Sequence, residues 1–208
     1  MNTEMDEIFE KTAKLYISYG IRSVTMDDVS RTLGISKKTL YNYVKDKADL
    51  VRKTMMYELE KNRVCFEMIL KRNLNSIEEL LEINKFLSKQ VKDVNPALEY
   101  DLRKYYQNLY KEILKIRRER AYFSLMRNME KGKEEGLYRK ELNAEIIAKI
   151  YVTRMEAIVY NDFFSIHEFT SKNTFQEIFE YHLRGICNEY GIKILEKKLA
   201  EFKIDSNE

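Results

Sequence analysis

The sequence predicts an all-α fold in which an N-terminal three-helix domain containing a helix-turn-helix is joined to a larger helical domain. Its 208 residues include only 1 Pro and 6 Gly, too few for the many turns of an all-β fold. Apolar side chains recur every three or four positions through most of the chain, which is the period of amphipathic helices. The content of 44% apolar and 12% aromatic residues is enough to bury a core, so disorder is not expected.

Capping residues and glycines delimit the first two helices. The first is expected to begin after Thr3 and to stop at Gly20, because glycine tolerates the positive φ of a helix end. Thr25 opens the second helix. Asp28 stands three residues later, as in a capping box. Gly34 ends this short helix.

The third helix is short and the fourth is long. Ser36 caps the third, from Lys37 to Val44, and Asp46 caps the fourth, with Asp49 three residues later. The apolar period of the fourth helix continues without a linker, so we expect it to join two domains rigidly. We place these domains at residues 1–50 and 51–208.

The same signals delimit the later helices. Four helix starts are predicted: a capping box at Ser76 and Glu79, Asn95-Pro96, a cap at Asn143, and a capping box at Thr174 and Glu177. Three interruptions are predicted: a break near Tyr105–Asn108, a loop marked by Gly132 and Gly136, and a break at Gly191 before a last amphipathic helix.

Composition excludes several classes of function. Cys65 and Cys187 lie far apart without neighbouring histidines, so neither a zinc site nor a disulfide framework is expected. With 2 His and no nucleophile–base pair or phosphate-binding glycine loop, we expect no enzyme, cofactor or metal. The N-terminus is acidic, and no window approaches the roughly 20 apolar residues of a membrane span. We therefore expect a cytoplasmic protein.

The strongest signal is the pair of short helices around Gly34-Ile35-Ser36. In a DNA-binding helix-turn-helix the first helix braces the second, which lies in the major groove. Leu40 and Val44 form the inward stripe of the second helix. Its other side chains are the types that bind phosphates and base edges: Lys37, Lys38, Thr39, Tyr41, Asn42 and Tyr43.

Local charge agrees with this interpretation, although the net charge of the chain is only +3. Between residues 22 and 53, eight basic residues stand against four acidic ones, and the acids fall at helix caps. An ordinary helical hairpin with solvated lysines remains the simpler explanation of the bases alone. The turn, the inward stripe and the charge together favour DNA binding.

At these residues the sequence resembles the TetR family of bacterial transcriptional regulators, over roughly residues 7–51. The resemblance implies that Thr25, Tyr41, Tyr43 and Lys47 clamp phosphates. It also implies that Lys37, Lys38, Thr39 and Asn42 are candidates for base reading. Lys38 stands where the family often has Gly or Ala, Val44 where Phe is usual, and Leu33 where Ala is usual.

By the same resemblance, the remaining helices bind a small-molecule effector and form a homodimer. The segment from 86 to 164 is rich in aromatic and sulfur side chains, which line either a pocket or simply a core. Arg154 lies within an apolar stripe and needs an acceptor, which is an anionic ligand, an acid such as Glu156 or Asp162, or water. Candidate ligand residues are Phe86, Tyr106, Tyr122, Met126, Arg154 and Met155.

The resemblance places the dimer contact on the helices near 143–165 and 173–190. Candidate interface residues are Ile158, Phe175, Phe179, His182 and Ile186, and a metal-ligand role for His182 is disfavoured because suitable neighbours are missing. The sequence thus predicts a homodimeric DNA-binding transcriptional regulator, a repressor released from a palindromic operator by a small molecule. The alternatives are a module for non-specific DNA binding or for protein interaction without ligand sensing, and a helical enzyme.

Overall fold

The computed structural model describes residues 4–93, 95–160 and 172–204, and within these ranges the fold is all-α, as predicted. Extended pairing in this part of the chain is limited to one antiparallel bridge between Tyr138 and Cys187. The helices are α1 Glu4–Tyr19, α2 Met26–Leu33, α3 Lys37–Tyr43, α4 Lys47–Leu70, α5 Ser76–Asp93, α6 Pro96–Tyr105, α7 Gln107–Glu134, α8 Ala144–Tyr160, α9 Lys172–Ile186 and α10 Glu189–Ile204.

The first of two compact units combines the N-terminal helices with a later part of the chain. It comprises residues 1–66 and 93–117, and thus α1–α3, most of α4, α6 and the start of α7. Its core joins side chains from all of these helices. Tyr16, Leu40 and Leu50 are fully buried there, and Leu102 and Ile113 from the later segment complete it.

The second compact unit comprises residues 67–92 and 118–208. Ile77 of α5, Met129 of α7 and Leu183 of α9 are among its buried core side chains. The division between the units falls inside α4, which is one continuous helix through residue 66, and the predicted boundary after residue 50 stays a prediction. None of the helices described here is long and apolar enough to cross a membrane.

Several predicted helix ends are confirmed by hydrogen bonds. Thr25 and Asp28 form the capping box of α2. Asp46 Oδ1 accepts the Asp49 N–H at 2.8 Å at the start of α4. Tyr106 is the non-helical residue between α6 and α7, within the predicted break. Asn143 Oδ1 accepts the Ile146 N–H at 3.0 Å before α8.

Two glycines were wrongly predicted to lie in breaks. Gly132 is inside α7, and Gly191 is inside α10. A Cβ on Gly132 would lie 2.1 Å from Cδ2 of Tyr138, and one on Gly191 would lie 2.2 Å from the Leu137 carbonyl oxygen. These glycines serve close packing, whereas Gly136, with a φ of 69°, does lie in the turn.

Two capping boxes were also wrong. Asn75, not Ser76, caps α5: its Oδ1 accepts the Glu78 N–H at 3.0 Å, while Glu78 accepts the Asn75 N–H. Glu79 instead turns inward and pairs with basic residues of α7. Thr174 lies inside α9, which already includes Lys172, so it does not cap that helix.

Candidate nucleic-acid interface and sensor residues

The turn between α2 and α3 is closed by backbone hydrogen bonds. Gly34 adopts the left-handed conformation, with φ 70° and ψ 24°, and its N–H points to the Arg31 carbonyl at 3.1 Å. The Ile35 N–H reaches the Ser30 carbonyl at 3.1 Å, as in a Schellman motif. Ile35 packs against the core of the first unit, which fixes α3 relative to α2.

The predicted division of α3 into two faces is confirmed for its inward side. Leu40 is fully buried and Val44 nearly so. On the other side, Lys38, Tyr41 and Asn42 are exposed. Within the described residues, these three side chains make no hydrogen bond or ion pair that would occupy them. They are therefore available to a ligand without first breaking an internal contact.

The two threonines of the predicted site are occupied by helix capping. The Thr25 hydroxyl accepts the Asp28 N–H at 3.1 Å and lies 2.6 Å from the Asp28 carboxylate, to which it donates. The Thr39 hydroxyl lies 2.7 Å from that of Ser36, whose oxygen also accepts the Thr39 N–H. To donate to a phosphate, the Thr25 hydroxyl must first give up its bond to Asp28.

Tyr43 and Lys47 also have internal partners. A hydrogen bond to the Glu4 carboxylate raises the pKa of the Tyr43 phenol, and the ring packs against the core. Lys47 Nζ lies 3.4 Å from the Arg22 carbonyl oxygen. Desolvation lowers the pKa of Lys47, while the charges of Asp101 and Asp28 oppose this shift.

Ion pairing divides the eight basic residues of this segment into two equal groups. Those with a carboxylate partner are Arg31, Lys37, Arg52 and Lys53. Among the residues that the structure describes, Arg22, Lys38, Lys45 and Lys47 form no ion pair. Lys37 is a candidate for base reading, but in the free protein its Nζ lies 3.1 Å from Asp27 Oδ2. Four of the eight cations are therefore free to pair with phosphates without first leaving a carboxylate of the described residues.

Sequence reasoning missed the contribution of α6 to this unit. Asp101 Oδ2 accepts the Arg22 N–H at 2.7 Å, and the Asn95 side chain donates to the Ser18 carbonyl at 2.9 Å. Gly20, with φ 78°, lets the turn approach Ala97, whose Cβ would be 3.1 Å from an added Cβ. Because these partners lie about 80 residues apart in sequence, no local sequence pattern predicts their contacts.

The candidate ligand residues do not all fall in one unit. Tyr106 packs against the core of the first unit, whereas Tyr122 and Met126 pack against the core of the second. Phe86 and Met155 are half-buried residues of the second unit. An open cavity of about 600 Å³ in that unit is lined by none of these residues; it lies between the 138–141 segment and the start of α10.

The side chain of Arg154, a residue of α8, contacts α9, the helix that also contains His182. Its guanidinium carbon is 5.4 Å from the ring centroid of Tyr151 and 5.8 Å from that of Tyr181. One Nη is 3.5 Å from the Ile178 carbonyl oxygen, and the buried Nε has no hydrogen-bond partner among the described residues. Glu156, one of the predicted acceptors, pairs with Arg118, and Asp162 lies outside the described residues.

Three of the candidate dimer residues are buried within the single chain. These are Phe179, His182 and Ile186. The side chains of Ile158 and Phe175 lie outside the described part of the structure. Burial of His182, together with the positive charge of Arg154, lowers the pKa of its imidazole to about 4.

The fold and the turn between α2 and α3 define a helix-turn-helix protein. Residues 8–54 match the family model of the bacterial regulatory proteins of the tetR family. This match confirms the predicted resemblance to that family over the N-terminal part of the chain.

The chain is also similar over most of its length to known regulators. It is 22% identical over 180 residues, 86% of this chain and 93% of the relative, to the uncharacterized HTH-type transcriptional regulator YvaF of Bacillus subtilis (strain 168). A transcriptional regulator from Cytophaga hutchinsonii ATCC 33406 aligns with a TM-score of 0.72 and 17% identity, over 90% of this chain and all of the other. A TetR-family regulator from Agrobacterium tumefaciens aligns with a TM-score of 0.65 and 18% identity, over 88% and 97%. At these identities the solved structures show a shared fold.

Proposed function

We propose that this protein is a transcriptional repressor that binds a palindromic operator as a homodimer and is released from it by a small molecule. The observation that carries DNA binding is the division of α3. Leu40 and Val44 fix the helix to the core, while Lys38, Tyr41 and Asn42 face solvent without a hydrogen-bond or ion-pair partner among the described residues. The match of residues 8–54 to the tetR family supports the same function.

Base reading and backbone binding are assigned to different side chains of α3. An exposed Asn can form two hydrogen bonds with adenine in the major groove, so Asn42 is the candidate for specificity. Lys38 supplies charge for phosphates, and Tyr41 supplies a hydroxyl. In a dimer, two such helices would enter successive major grooves about 34–36 Å apart, which a palindromic site matches.

Variants of α3 test this assignment by fluorescence anisotropy with the protein's own upstream DNA and with an unrelated duplex of equal length. Asn42→Ala is expected to weaken specific binding by about 1–3 kcal/mol and to leave the unrelated duplex unaffected. Lys38→Gln is expected to weaken both complexes and to lower the salt dependence. Lys140→Gln is the matched control, because Lys140 is also exposed but lies in the other unit. If the wild-type protein shows no preference for its upstream DNA, operator reading is refuted.

Exposed apolar side chains of α8 and α9 support the homodimer. Ile146 and Ile150 are one turn apart on α8 and are 54% and 56% exposed. Arg154 follows Ile150 by one further turn of α8. Tyr181 of α9 lies beside Arg154 and is 76% exposed. Since the candidate residues Phe179, His182 and Ile186 are already buried, we assign the dimer contact to this exposed stripe instead.

Sedimentation measurements test the dimer. Ile150→Glu and Tyr181→Glu are expected to give monomers at concentrations where the wild type is dimeric, because each places a charge in an apolar contact. Tyr190→Glu is the control: Tyr190 is 60% exposed but belongs to α10. Dimers that survive both substitutions in the stripe would assign the contact to another surface.

Effector binding is proposed for the second unit, where five of the six candidate residues lie. We infer that the effector is an anion, because the buried Nε of Arg154 lacks an acceptor in the described structure. The effector needs to favour the released state by only about 1–3 kcal/mol to act as a switch. Genomic fragments bound by the protein would identify regulated genes and their metabolites as test ligands. A metabolite that releases the wild type and Arg154→Ala equally would exclude a role for Arg154.

A further inference from the structure

Two cations of the first unit are held by tyrosines at the end of α6. Arg22 Nη1 donates to the Tyr105 hydroxyl at 2.5 Å, and its guanidinium carbon lies 5.1 Å from the centroid of that ring. Lys104 Nζ donates to the Tyr100 hydroxyl at 2.7 Å and lies 5.1 Å and 5.5 Å from the centroids of Tyr100 and Tyr105. We call these four residues the α6 basic–aromatic cluster.

The cluster carries two positive charges that pair with no acid in the described part of the chain. Among the described residues neither Arg22 nor Lys104 forms an ion pair, although half of the basic residues between 22 and 53 do. The nearby Asp101 is buried, and its carboxylate accepts the Arg22 backbone N–H and not the Arg22 guanidinium. Tyr100 and Tyr105 are 55% and 43% exposed, and the cluster therefore faces solvent.

The position of the cluster connects it with the proposed DNA interface. Lys47, a candidate phosphate ligand, donates to the carbonyl oxygen of Arg22. The side chain of Arg22 belongs to the cluster. Thr25, another candidate, follows Arg22 by three residues. A DNA strand presents a phosphate about every 3.4 Å along its axis, so a duplex bound at Lys47 offers further phosphates within a side chain's length.

The chemistry of the cluster fits a phosphate backbone. Arginine, lysine and tyrosine hydroxyls are the usual donors to phosphate oxygens. The ring contacts restrict both cations before any ligand binds, which lowers the entropy lost on binding. We propose that the α6 basic–aromatic cluster is an additional phosphate-binding site, so that α6 contacts the DNA backbone beside the helix-turn-helix. This inference rests on the proposed DNA binding, and extends it to Tyr100, Lys104 and Tyr105, which lie outside the family-matched segment 8–54.

The salt dependence of binding tests the proposal. Dissociation constants are measured from 50 to 300 mM KCl for the protein's upstream duplex and for an unrelated duplex of equal length. Each lost phosphate contact makes the negative slope of log K against log salt shallower by about 0.9, which is about a five-fold loss of affinity at 50 mM relative to 300 mM salt. Lys104→Gln is expected to show this loss on both duplexes. Lys104→Arg, which keeps the charge, is expected to retain the wild-type slope.

Lys140→Gln controls for the change in net charge, because it removes one exposed lysine in the other unit. Circular dichroism confirms that each variant is folded. Equal slopes for Lys104→Gln and Lys140→Gln would overturn the proposal, as would a loss confined to the upstream duplex. If the wild type binds both duplexes equally, operator reading fails, but the cluster is still tested on either duplex. If it binds neither, both proposals fail.

Discussion

The buried imidazole of His182 makes the stability of this protein dependent on pH. The side chain is only 8% exposed, its ring lies 4.4 Å from that of Tyr151, and Arg154 is nearby. Burial first, and then the charge of Arg154, lowers the pKa of His182 from 6.5 to about 4. The folded protein therefore keeps His182 neutral at pH 5, where an unfolded chain is protonated.

The sign and size of the effect follow from proton linkage. Between pH 6.5 and pH 4 the unfolded state binds the extra proton, so the free energy of unfolding falls as the pH falls. With a pKa of 6.5 in the unfolded state and about 4 in the folded state, the free energy of unfolding falls by about 2 kcal/mol between pH 7 and pH 5. The full loss is about 3 kcal/mol, reached below pH 4.

Urea unfolding at pH 7 and pH 5 measures this loss when the wild type is compared with His182→Phe. The phenyl ring keeps the contact with Tyr151 and cannot titrate, so the variant is expected to lose about 2 kcal/mol less between the two pH values. Other titrating groups contribute equally to both proteins and cancel in the comparison. The chain has 2 His, so the imidazole signal lost in the variant assigns His182 in an NMR titration. A fitted pKa near 6.5, or equal pH dependence of the two proteins, would refute the reasoning.

Three further substitutions probe the packing of the second unit, each followed by thermal or urea unfolding. Glu79→Ala is expected to destabilise the protein by about 1–3 kcal/mol, because it removes an acceptor of the buried Asn128 amide and the buried carboxylate that pairs with Arg127 of α7. Glu145→Ala, in an exposed pair, is its control and is expected to cost much less; equal losses would contradict a special role for burial. Gly132→Ala is expected to cost about 1–3 kcal/mol, since its Cβ would overlap the ring of Tyr138, and an unchanged midpoint would show that the ring moves aside. Gly185→Ala has open space and is expected to stabilise α9 by about 0.5–1 kcal/mol, whereas a loss would reveal a contact at that position.

Local signals in the sequence predicted the helix-turn-helix well. A capping box at Thr25 and a glycine at residue 34 act over three or four residues, so the pattern contains all the partners that form the structure. The inward positions of Leu40 and Val44 follow from helical spacing for the same reason.

The errors have two physical causes. The sequence Asn-Ser-Ile-Glu-Glu at 75–79 contains two overlapping capping boxes, and the burial of Glu79 against α7, which no local pattern shows, selects the first. A glycine serves either a turn or a close approach, and only the position of Tyr138 tells which applies at Gly132. The same limit hid Asp101, whose partner Arg22 lies 79 residues away in sequence.

The discontinuous first unit has a consequence for how the protein is made. Its core needs Leu102 and Ile113, which lie 47 and 58 residues beyond Met55 of the same core. During synthesis, at about 5–20 residues per second, the helix-turn-helix therefore leaves the ribosome several seconds before its core can close. Over that interval apolar side chains such as Leu50 stay uncovered, and nascent chains are most exposed to proteases and chaperones. A gene fragment that ends within α4 after residue 54 would produce the whole family-matched segment without Leu102 and Ile113, which complete its core.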